Sequence, residues 1–77
     1  MLTEIQVNII KNQVKNFLES REFLAKDLRV YQHKLKKNFV FVLAWNENLG
    51  SKAVNVSDGD IRFLEGTITD FNQYYIF

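Results

Sequence analysis

"FLESREFLAKDL" (residues 17–28) is the stretch whose reading decides the fold. It holds almost wholly adequate or good helix formers, and no Gly or Pro occurs before Gly50. If it continues the helix that opens the chain, the first half is one rod. If it breaks near Glu19–Arg21, the chain folds back as an αα-hairpin with its apolar stripes on one core. Towards the N-terminus, Thr3 followed by Gln6 matches a capping box. In both directions apolar residues recur at heptad spacing. One set is Val7, Val14, Leu28 and Leu35, interrupted by Arg21, and the other is Ile10, Phe17, Leu24 and Tyr31. The spacing predicts a continuous amphipathic helix from residue 3 to about residue 37. Glu22 and Lys26 supply a correctly oriented i,i+4 pair on it.

That helix carries a second stripe, Leu2, Ile9, Phe23 and Val30, about 200° around from the first. A rod with two apolar faces needs two partners. It would be roughly 52 Å long, whereas a seven-residue strand spans only about 23 Å. The overhang predicts that a second copy covers it. The expected interface is the seam Val7, Ile10, Val14, Phe17, Arg21, Leu24, Leu28, Tyr31 and Leu35, in which Arg21 fixes register.

From Phe39 the pattern changes. "FVFVLAW" (39–45) is continuously apolar, β-branched and aromatic, and reads as a strand buried on both faces. "NENLGS" (46–51) is a turn and "KAVNV" (52–56) alternates. "SDGD" (57–60) is a hairpin turn centred on Asp58-Gly59. "IRFLEGTITDF" (61–71) reads as a longer strand whose inward phase slips after Gly66, which predicts a bulge or sharp bend at Glu65-Gly66. "NQ" then turns the chain into "YYIF" (74–77), with Tyr74 and Ile76 on one face and Tyr75 and Phe77 on the other. Phe77 joins the expected interface. The expectation is an α+β fold: one domain over 1–77, with a long N-terminal helix (1–37) and an antiparallel meander or bent partial barrel of about four strands (38–77).

A chain of 77 residues buries little core. Small domains often add disulfides, metals or a second subunit. There is no cysteine and one histidine, which excludes disulfides and argues against structural zinc. No signal peptide and no apolar run of membrane-spanning length is present, so a cytoplasmic protein is expected. Net charge is +1 but unevenly placed: residues 1–37 hold eight Lys/Arg against four Asp/Glu, and residues 38–77 hold two against five.

Candidate chemistry is sparse. His33 has no nucleophile in a recognisable pattern, and Asp58 and Asp60 lack the other ligands of a calcium loop. The three glycines stand in separate turns, so there is no phosphate-binding loop. The expectation is a non-enzymatic protein without cofactor or metal. One cluster remains: Lys26, Arg29, His33, Lys34, Lys36 and Lys37. On a helix it would complement the C-terminal dipole, and as a patch it would bind phosphates.

Gly66-x-Ile68-x-x-Phe71-Asn72-Gln73-Tyr74-x-Ile76 resembles the first motif of the Sm and Hfq-like RNA-binding family, whose members also begin with a helix. The resemblance covers about the last 20 residues, from the Asp58-Gly59 turn onward, and the residues of the family's second motif are absent. It implies a strongly bent small barrel, ring assembly and RNA at the inner rim. Tyr74 would stack on a base, and Asn72 and Gln73 would shape the pocket. Two functions are therefore expected. The first is an interaction or assembly protein that self-associates through the helix and binds a protein partner, as small phage and bacterial accessory factors, inhibitors and adaptors do. The alternative is an RNA binder using Asn72, Gln73 and Tyr74, with Lys34, Lys36 and Lys37 as further contacts. Neither reading involves a membrane.

Overall fold

The computed structural model describes residues 1–66 and 68–77. It is one helix followed by an antiparallel sheet, the α+β class, but the helix is half the expected length. Helix α1 (Glu4–Glu19) starts at the capping box, with the Gln6 N–H donating to Thr3 Oγ1 (3.2 Å) and the Thr3 N–H to Gln6 Oε1 (2.8 Å).

The rod ends because the backbone closes on itself. The Phe23 N–H donates to the Leu18 carbonyl (3.0 Å) and the Glu22 N–H to that of Glu19 (3.0 Å), while Glu22 sits at φ 62°. This is the Schellman closure, here with glutamate where glycine is usual. Leu18 and Phe23 are both fully buried, so apolar packing offsets the left-handed strain. Arg21 seals the end: its Nη1 donates to the Phe17 carbonyl (3.1 Å) and its guanidinium lies 3.8 Å from the Phe17 ring centre. The expected helix over residues 20–37 is thereby corrected, and with it the role of Arg21 as a seam residue. The chain breaks where the hairpin alternative placed a break, yet it returns as a strand. Lys26 accordingly pairs with Glu47 (3.6 Å), not with Glu22.

Strand β1 (Asp27–His33) is followed by β2 (Val40–Asn46), β3 (Gly50–Asn55), β4 (Arg62–Phe63) and β5 (Tyr74–Ile76). The count is five, not about four. Their order is β4-β3-β2-β1-β5, all neighbours antiparallel. The first four form a meander, and the chain then crosses from one edge to the other to lay β5 against β1. The Asp58-Gly59 turn is realised, with both residues at positive φ (57° and 73°) and the Asp60 N–H closing onto the Ser57 carbonyl (3.0 Å). The expected strand 61–71 is corrected: it ends at Phe63. Gly66, at φ 93°, bends the chain, but in the connection after β4 and not within a strand, so the phase slip that suggested the bend has no strand to act on.

The register sorts the side chains. Leu28 faces Ala44, Val30 faces Val42, and Val42 faces Val54. These point to α1, and Val7, Val14, Leu18, Phe23, Val30, Val40, Val42, Ala44 and Val54 form the core. Ile10, Phe17, Leu28 and Phe77 pack against it half-buried. The predicted interface is thus largely the protein's own core. Val7 and Val14 cannot serve a coiled-coil partner because the sheet already covers them, and Phe77 lies on the same inner side. Leu24 and Leu35 are exposed and off any helix. Tyr31 is buried on the opposite face, opposite Phe41.

That second face is covered by other means. On that side Leu43, Ala53, Leu64, Ile68 and Phe71 line a cleft of about 340 Å³. Phe41 is fully buried on this face, on the side of the sheet away from α1.

Candidate nucleic-acid interface

Tyr31 and Phe41 stack face to face, centres 4.9 Å apart. Tyr74 meets Phe41 edge-on at 5.3 Å and His33 at 5.1 Å, and Phe39 and Phe71 close the cluster at 6.0 Å from Phe41 and 5.4 Å from Tyr31. Aromatic residues alternate onto this face of β1, β2 and β5, and edge-on geometry suits their quadrupoles. Tyr74 is therefore half-buried packing, not the open ring that base stacking requires. Phe71, at the cluster's margin, is the exposed ring.

The loop between β1 and β2 (residues 34–39) leaves this cluster and carries Lys34, Lys36 and Lys37, all exposed. His33 shapes it. Its Nδ1 accepts from the backbone N–H groups of Leu35 (3.1 Å) and Lys36 (2.9 Å), which leaves the proton on Nε2, 3.1 Å from Gln73 Oε1. Gln73 Nε2 in turn donates to Asp70 Oδ2 (2.8 Å), and the Gln73 carbonyl accepts from the Lys34 N–H (2.8 Å). Pairing of β5 with β1 thus brings the lysine loop beside Asn72, Gln73 and Tyr74, which the sequence separates by about forty residues. Lys34 Nζ sits 5.7 Å from the Tyr75 ring centre. None of the three lysines forms an ion pair among the described residues. Leu35, at the loop tip, is 87% exposed.

Beside the loop lies an open pocket of about 560 Å³, lined by Lys36, Asn38, Phe39, Asn55, Ser57, Asp58, Asp60 and Arg62. Ser57 Oγ holds its wall, accepting from the Val40 N–H (2.8 Å) and donating to the Val40 carbonyl (3.1 Å). Sequence reasoning missed Phe39, Asn55 and Arg62. The β2–β3 register puts Asn55 opposite Phe41, and that pairing is not legible from the sequence.

Across the molecule, Lys26, Trp45 and Glu47 mark a second surface. Asn46 Nδ2 donates to the Leu24 carbonyl (2.7 Å) and Asn46 Oδ1 accepts from the Leu49 N–H (2.9 Å), so the exposed Leu24 and Leu49 are tied to one point beside Trp45, itself 42% exposed. Lys26 Nζ lies 5.8 Å from the Trp45 ring centre.

Of the residues expected to contact RNA, all six share one end of the molecule. Among the described residues no long strand bends through Gly66 as the Sm-like resemblance implies: β4 ends at Phe63 and β5 starts at Tyr74. Among the described residues no helix is long and apolar enough to cross a membrane, and no three His, Cys, Asp or Glu side chains gather to hold a metal ion. Comparison with protein-family models, curated proteins and solved structures finds no match to this chain.

Proposed function

We propose that the protein is a non-enzymatic binding module that takes single-stranded nucleic acid across the loop of Lys34, Lys36 and Lys37. The observation that carries this reading is the juxtaposition of that loop with Asn72-Gln73-Tyr74 through the His33–Gln73 contact. Three ammonium groups without an ion pair among the described residues provide sequence-independent attraction to phosphates. The amides and Phe71 beside them offer base-edge and stacking contacts. The preformed loop limits the ordering cost of binding.

The test is fluorescence anisotropy with labelled oligouridine at several salt concentrations. Replacing Lys34, Lys36 and Lys37 together by Ala should weaken binding and flatten the log–log salt slope by about 2, at roughly 0.7 per phosphate contact on a single strand. Salt-independent binding, or no binding by the wild type, would sink the reading.

A protein partner is the second reading, and the Leu24–Trp45–Leu49 surface favours it. An exposed tryptophan flanked by two exposed leucines is more apolar than a small soluble surface needs. Trp45→Ala should abolish capture of a partner from host lysate while leaving oligouridine binding intact. Capture that survives Trp45→Ala would rule out this surface. The helix seam gives little support to self-association, since Val7, Ile10, Val14 and Phe17 face the protein's own sheet and Leu24 and Leu35 lie off the helix.

A further inference from the structure

Asn55 is 4% exposed, yet it lines the pocket beside the lysine loop. Its Nδ2 donates to the Asp60 carbonyl at 2.7 Å, and a carbonyl can only accept, so the orientation of the amide is settled. The other end of that amide, Oδ1, takes no hydrogen bond from any described residue. Every sealed side-chain nitrogen or oxygen has a partner. Oδ1 is therefore an unpartnered acceptor, among the described residues, on a buried side chain that lines the pocket. Around it stand groups of complementary kinds. Arg62 donates through Nε to Asp60 Oδ2 at 2.9 Å, which leaves its two terminal NH₂ groups as free donors among the described residues. The Asp58 carboxylate is a second acceptor at the rim, and the half-buried Phe39 ring forms a wall. The volume, about 560 Å³, lies in the range of roughly 300–1,000 Å³ typical of small-molecule sites.

We propose that this pocket takes one guanine base of the bound strand. Guanine offers acceptors at O6 and N7, the pair that arginine reads best. Its opposite edge presents adjacent N–H donors at N1 and N2, which suit Asn55 Oδ1 and Asp58. Adenine and cytosine present a donor next to an acceptor on that edge, and uracil presents a donor between two acceptors, so each leaves one of the pocket's acceptors facing another. Phe39 offers the base an apolar wall, and Lys36 neutralises a neighbouring phosphate. This inference rests on the nucleic-acid reading and adds a base preference to it.

The experiment compares three short single-stranded RNAs by anisotropy: oligouridine, the same strand with one central guanosine, and the same strand with one central adenosine. The guanosine strand should bind about tenfold tighter than either of the others. Arg62→Ala and Phe39→Ala, each verified as folded by circular dichroism, should bring that ratio towards one. Equal, salt-sensitive binding of all three strands by the wild type would overturn the guanine pocket and leave the lysine-loop reading in place. Binding of none would overturn both.

Discussion

Replacing Glu22 by Gly should stabilise this protein, and the sign is diagnostic. Glu22 holds φ 62°, a left-handed conformation that costs a residue with a Cβ about 1–2 kcal/mol. Glycine removes that cost but loses more backbone entropy on folding, about 0.5–1 kcal/mol. The remainder is a gain of about 0.5–1 kcal/mol. With a urea m-value near 1 kcal/mol/M, the low end for small proteins, the midpoint rises by about 0.5–1 M. The thermal midpoint rises by roughly 2–8 °C for a domain of this size. A continuous helix through residue 22 gives the opposite sign, because glycine in a helix interior is among the worst residues, about 1 kcal/mol below alanine. Urea melts followed by far-UV circular dichroism distinguish the two. Glu22→Ala serves as control, since alanine keeps the Cβ and should leave the midpoint nearly unchanged. A midpoint lowered in Glu22→Gly would refute the Schellman closure and restore the long helix.

Three further outcomes follow from the same geometry. Arg21→Leu should lower stability by a few tenths to about 1 kcal/mol, because the guanidinium seals the helix end and stacks on Phe17, and a rise in melting temperature would contradict that role. Ser57→Ala should cost about 1–3 kcal/mol, since it strips the hydroxyl bridging the Val40 N–H and carbonyl; an unchanged urea midpoint would show that water replaces it freely. Gly66→Val should cost about 1–3 kcal/mol from backbone strain alone, as an added Cβ meets no atom within 4 Å, and loss of soluble protein would point to a packing role the geometry lacks.

The contrast between what was legible and what was not runs along a single physical line. Thr3 and Gln6 cap the helix with hydrogen bonds that span three residues, so two letters announce them. Asp58-Gly59 makes its turn, and Gly66 its bend, by local backbone freedom, and both could be read off the chain. The apolar run 39–45 required a strand buried on both faces, and β2 is the central strand, though Trp45 emerges at its end. The α+β class followed from these.

The site was half legible. The lysines and the Asn-Gln-Tyr turn stood out as letters, whereas their proximity did not, nor did Asn55, Phe39 and Arg62 as one pocket.

What the sequence could not decide by itself was the state of residues 20–37. Leu24, Leu28, Tyr31 and Leu35 keep heptad spacing by coincidence, since Leu24 and Leu35 end exposed. Leu28 and Val30 alternate equally well, and the shorter period won. A helix satisfies its backbone groups within a few residues, so propensity and periodicity speak for it locally. A strand must borrow its partners. β1 borrows from β2 on one side and from β5, over forty residues away, on the other. Only the assembled sheet offers those bonds together with the buried seats of Phe23 and Val30, and that combined gain outweighs both the helix propensity of the stretch and the left-handed strain at Glu22.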